Sequence, residues 1–124
     1  MTALALVCFA ALVINVVRDL FFPESRDVEV WLGIEVRGPL AMLTAPFHWA
    51  IFAAGAWAAW TQRPWVGRAV AAYLFYAAVS HLVWSEASPN GRGWLIGLAQ
   101  AVAISAAAIL ILRSDRRSLS IAAC

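Results

Sequence analysis

Apolar residues fill this chain in four long runs, at about residues 2–22, 40–60, 65–85 and 94–112. Each run approaches the roughly 20 residues that a helix needs to cross the hydrocarbon core of a membrane. The pattern predicts an all-α integral membrane protein: a compact bundle of four transmembrane helices. The run from Gly38 to Gln62 carries no formal charge over 25 residues. Its small residues, from Ala50 through Ala53, Ala54, Gly55, Ala56, Ala58 and Ala59, permit close helix approach and mark a central helix. Pro23 should stop the first span, and Pro39 should sit in the opening turn of the second. The short turn Thr61–Pro64 makes spans two and three antiparallel neighbours, and the Ser88-Pro89-Asn90-Gly91 stretch is a second turn. The tail, residues 113–124, is polar and then weakly apolar, which predicts partial order.

The connector, residues 23–39, breaks this pattern. Val28, Val30, Leu32, Ile34 and Val36 alternate with Glu29, Trp31, Gly33, Glu35 and Arg37. Period two is the signature of a strand with one buried face. A lone strand has no partner for its backbone, so the alternative is an interfacial helix with Trp31 at headgroup depth. Either element would form an extracytoplasmic lid over one end of the bundle.

Composition agrees with a lipid environment. The 124 residues are 64% hydrophobic and only 13% charged, where a soluble domain has about one quarter charged. One membrane domain accounts for the whole length. The first 22 residues lack the basic n-region of a signal peptide and read as a retained helix. All nine basic residues are arginine and form no extended basic patch, so no nucleic-acid partner is expected. Cys8 and Cys124 belong to no ligand-spaced set.

Four spans place both termini on one side. That side carries Arg63, Arg68, Arg113, Arg116 and Arg117 against Asp115 alone. The other carries Arg18, Arg26, Arg37 and Arg92 against Asp19, Glu24, Asp27, Glu29, Glu35 and Glu86. The positive-inside rule then predicts a multi-pass protein of a cell inner membrane with cytoplasmic termini. Trp31, Trp60, Trp65, Trp84 and Trp94 fall near span ends, as an aromatic belt does.

Polar residues inside the spans supply the candidate chemistry. At about 1.5 Å per residue, Asn15 lies roughly 7 Å in from the outer end of its span, His48 roughly 12 Å, His81 roughly 6 Å and Gln100 roughly 9 Å. Four helices thus contribute to one layer, rimmed by Arg18, Asp19, Glu35 and Glu86. Interhelical hydrogen bonding alone would produce such a layer. Ionisable groups in a membrane also mark function.

Three readings compete. The first is a small membrane enzyme in which His48 or His81 exchanges protons with Asp19, Glu35 or Glu86. Its substrate would be a lipophilic small molecule undergoing isomerisation, cyclisation or epoxide opening. Asn15, Arg18, Trp31, Trp49, Tyr76, Trp84 and Gln100 would line that site. No cofactor is required. The second is an accessory or anchor subunit of a larger membrane complex, with quinone or with haem b between His48 and His81. The third is a small transporter or channel acting as a homodimer. No HExxH, GxSxG or Gly-rich phosphate loop decides among them.

Overall fold

The computed structural model describes residues 2–22 and 28–122, with backbone alone for Thr2 and residues 115–122. Pro23, the expected helix stop, and Glu24, Arg26 and Asp27 lie outside the described residues. So does Cys124, and the side chains of Asp115, Arg116 and Arg117 are likewise undescribed.

The elements run α1 (Thr2–Phe21), β1 (Val28–Trp31), β2 (Ile34–Arg37), α2 (Pro39–Trp60), α3 (Val66–Ala87) and α4 (Trp94–Ala122). All four helices contain an apolar stretch of 19 to 22 residues, long enough to cross a membrane. Their outer faces present large apolar side chains such as Leu6, Phe9, Leu43, Val79 and Leu110. Water would penalise such surfaces and lipid does not. The protein is therefore a multi-pass membrane protein with four spanning helices and an antiparallel strand pair between the first two. α4 continues past the apolar run to Ala122, because no glycine or proline in 113–122 interrupts it.

The chain divides into two units. The first comprises Met1–Val30 with Glu35–Val66, and the second comprises Trp31–Ile34 with Gly67–Cys124.

In the first unit α1 packs along α2. The contact is built from small groups: Ala5, Cys8, Ala41, Ala45, Ala58 and Ala59 are buried. A methyl added at Gly55 would meet the Cys8 sulfur at 3.3 Å, so the helices approach at that glycine. α2 passes through Pro46 without a break. It stops in a Schellman turn, in which Arg63 N–H donates to Ala58 O at 2.9 Å and Gln62 N–H to Ala59 O at 3.2 Å. Gln62 takes the left-handed position at φ 55°. The Arg63 guanidinium lies 5.3 Å from the Trp57 ring centre, a cation–π contact.

In the second unit α3 and α4 meet along small residues. Ala71, Ala78 and Ser85 are buried at seven-residue intervals on α3, and Ala108 is buried on α4. A methyl added at Gly97 would fall 2.6 Å from Ser85 Cβ. Gly97→Ala is therefore expected to cost about 1–3 kcal/mol by overpacking. Ser85 Oγ is buried without a hydrogen-bond partner among the described residues, so Ser85→Ala should be neutral or stabilising. Thermal unfolding of the two variants in lipid nanodiscs, with opposite or null shifts, checks the pair.

The strand alternative holds for the connector, and the partner strand comes from within it. Leu32 (φ 52°) and Gly33 (φ 79°) both adopt left-handed backbone, as a two-residue type I′ hairpin turn requires. The turn changes the expected burial. Across a two-residue loop Trp31 faces Ile34, so Glu29 shares its face with Trp31, Ile34 and Val36. The apolar even-numbered positions do not line one face. Glu29, at 4% exposure, is the most buried residue of the two strands, where the alternation pointed to valine.

The hairpin tip is anchored on α3. Leu32 N–H donates to Tyr76 Oη at 3.1 Å, and Gly33 N–H donates to Ser80 Oγ at 2.9 Å. Tyr76 is halfway along α3, about 16 Å from either end at the α-helical rise. Gly33 packs against Ser80 and Val83, about 6–11 Å in from the C-terminal end of α3, so the tip enters the spanning region and is a re-entrant element. Non-helical backbone at that depth must have its polar groups met by protein, and the two hydroxyls meet two of them.

Candidate functional site

The functional candidates of the first unit converge in a ring of side chains drawn from α1, β1 and α2. Arg18 and Asp19 occupy the last turn of α1, where the apolar run ends. Glu29 comes from β1, and His48 and Trp49 are consecutive on α2.

Arg18 Nε donates to Asp19 Oδ1 at 2.6 Å, and Arg18 Nη2 donates to Glu29 Oε1 at 2.8 Å. Trp49 Nε1 donates to Asp19 Oδ2 at 2.8 Å. His48 Nδ1 lies 3.0 Å from Glu29 Oε2. Each carboxylate therefore uses both oxygens, one on the shared guanidinium and one on an α2 aromatic side chain. The path runs His48, Glu29, Arg18, Asp19, Trp49, and the α2 backbone closes it.

Burial makes this arrangement consequential. The side chains of Asp19 and Glu29 are 1% and 4% exposed, and His48 is 12% exposed. Arg18, at 38%, is the member with most access to its surroundings. Carboxylates this buried persist as anions only with charged or hydrogen-bonding partners, and both have two. The ring holds one guanidinium and two carboxylates. Its formal charge is −1 with neutral imidazole and zero with imidazolium.

A carboxylate accepts hydrogen bonds and cannot donate them, so the His48–Glu29 contact puts a proton on Nδ1. That fixes the imidazole's orientation. The geometry is that of a histidine held by an acid which is itself held by an arginine. Such an arrangement can transfer protons or can clamp β1 onto the helix pair.

Four candidates from the sequence thus meet: Arg18, Asp19, His48 and Trp49. Glu29 completes the ring and is not among the sequence candidates, because alternation places it on the polar face of the strand. The signal that finds it is Gly33, two residues past the end of VEVW, which turns the strand and changes which parity is buried.

The remaining candidates have other environments. Asn15 Nδ2 donates to Ala11 O of its own helix at 2.8 Å. Glu35 pairs with Arg37 at 2.7 Å on β2. His81 and Glu86 are exposed on α3, whereas the neighbouring Ser80 is buried and bonded to the hairpin tip. Depth placed His81 in the layer, but one residue turns a helix by about 100°, and depth carries no information on facing. Tyr76 holds the tip instead of lining the ring. Gln100 Oε1 is buried without a hydrogen-bond partner among the described residues. Trp31 and Trp84 are half-buried. Among the described residues no three His, Cys, Asp or Glu side chains group to hold a metal ion.

The chain matches no known protein family, no curated protein and no solved structure. Its class follows from its own geometry. It is a lipid-embedded, multi-pass protein of four apolar helices with a re-entrant hairpin and a buried ionic ring.

Proposed function

We propose that the protein is a small membrane enzyme that works by acid–base catalysis on a lipophilic substrate, with His48 as the proton-exchanging group. The observation that carries this reading is the 3.0 Å contact between His48 Nδ1 and a Glu29 carboxylate that Arg18 also holds. Orientation of an imidazole by a fixed carboxylate is the arrangement general-base histidines use. Glu29 positions the ring and stabilises the imidazolium. Arg18 and Asp19 hold Glu29 in place, and Trp49 holds Asp19.

The chain of contacts from His48 through Glu29 to Arg18 supports a fixed imidazole as proton relay in a low-dielectric setting. Isomerisation, cyclisation and epoxide opening all need such a proton relay without redox change. The arginine distribution supports an inner-membrane location with both termini cytoplasmic.

The test compares lipid-soluble metabolites of membranes from cells making the wild type, His48→Asn or Glu29→Gln at matched abundance. The expected result is a neutral lipid that is converted only by the wild type. Its product should be isomeric, or heavier by one water. Identical profiles from the wild type and His48→Asn would overturn the reading and leave the ring a clamp for β1.

A further inference from the structure

We infer that the groove beside the hairpin tip in the second unit binds a neutral lipophilic molecule through a carbonyl oxygen, with Tyr76 Oη–H as the principal donor. The inference does not depend on the acid–base reading.

The groove has a volume of about 350 Å³ and is lined by Leu32, Phe75, Tyr76, Val79 and Ser80. That is within the range of small-molecule sites, about 300–1,000 Å³. Its walls carry no charge, which disfavours an ionic ligand. Leu32, Phe75 and Val79 give it an apolar surface, and all three are exposed.

The polar groups on its wall set the ligand's chemistry. Tyr76 Oη accepts from Leu32 N–H, and Ser80 Oγ accepts from Gly33 N–H. A hydroxyl has one donor besides its acceptor positions. Neither O–H has an acceptor among the described residues. Both hydroxyls lie one turn apart on α3, beside an apolar groove at the level of the hydrocarbon core. Water and backbone satisfy such donors elsewhere, and lipid tails cannot. The ligand must bring an acceptor and no charge, which a ketone, aldehyde or quinone carbonyl does.

Depth separates this ligand from ordinary phospholipid. The tip that Tyr76 and Ser80 hold lies about 6–11 Å inside the end of α3, whereas the ester carbonyls of a phospholipid lie near the interface of a core about 30 Å thick. A molecule whose carbonyl sits in the middle of its apolar body reaches the hydroxyls.

Benzophenone is a suitable probe, because it is apolar, carries one carbonyl and crosslinks to nearby C–H groups on illumination. The protein in nanodiscs would be labelled and the adducts mapped by mass spectrometry. Adducts are expected to concentrate on Leu32, Phe75 and Val79 relative to the rest of the lipid-facing surface. Tyr76→Phe should reduce that enrichment about fivefold, the ratio expected for one neutral hydrogen bond. A long-chain dialkyl ketone should compete, and the alkane of equal length should not. This competition uses the wild type and decides the matter even where Tyr76→Phe fails to fold. Even labelling of all lipid-facing residues would overturn the inference, as would equal competition by alkane. Enrichment seen in detergent and lost in phospholipid would assign the groove to ordinary lipid and overturn it too.

Discussion

Replacing Arg18 by methionine is expected to destabilise the protein by about 3–5 kcal/mol, the range for breaking a buried ion pair from one side. The guanidinium is shared by Asp19 and Glu29, at 2.6 and 2.8 Å. Its removal leaves two nearly inaccessible carboxylates with a single partner each, Trp49 and His48. The cost comes from the stranded anions more than from the lost attraction. Consequently, Arg18→Met combined with Asp19→Asn and Glu29→Gln should recover most of the loss. Unfolding in a denaturing detergent series, followed by tryptophan fluorescence, measures both variants. A midpoint for Arg18→Met equal to that of the wild type would contradict the closed ring. So would a triple variant no more stable than the single one.

The second large effect is expected at the hairpin tip. A methyl added at Gly33 would fall 2.4 Å from Val83 Cβ and 2.5 Å from its Cγ1. The backbone there is also left-handed, at φ 79°. A side chain in that region costs about 1–2 kcal/mol, and overpacking adds about 1–3. Gly33→Ala should therefore lose roughly 3 kcal/mol. Shortening the neighbour to alanine should restore little, because the closest overlap is with Val83 Cβ itself. The variant should also release the Leu32 and Gly33 amides from Tyr76 and Ser80. Hydrogen exchange over residues 31–34 reads that release directly, and protection equal to the wild type would sink the close-approach argument.

Much of this architecture is legible from hydrophobic pattern. Long uninterrupted apolar runs admit few alternatives once their length matches a bilayer, and each of the four is a helix. Arg18, Asp19, His48 and Trp49 were also visible as candidates, because charge and imidazole are costly in lipid and invite explanation. Glu29 was not. Alternation of valine with polar residues describes one flat strand correctly. It describes a two-residue hairpin wrongly, because the turn exchanges the faces. His81 shows the complementary failure. Its depth along α3 resembles that of a site residue, yet Ser80 next to it has the inward orientation. Position along a helix is readable from a run of letters, but facing depends on neighbours that the letters do not rank. The tip's depth was hidden for a related reason: its anchors, Tyr76 and Ser80, lie 44 and 47 residues further along the chain than the amides they accept.

That separation imposes an order on assembly. When the ribosome has delivered the first helix and the hairpin, the acceptors for the Leu32 and Gly33 amides have not yet been synthesised. Water at the membrane surface is then the available solvent for those amides, so the turn waits there. It can descend beside α3 only after that helix has entered the bilayer. The two anchoring bonds of the hairpin tip therefore form only once α3 is in place.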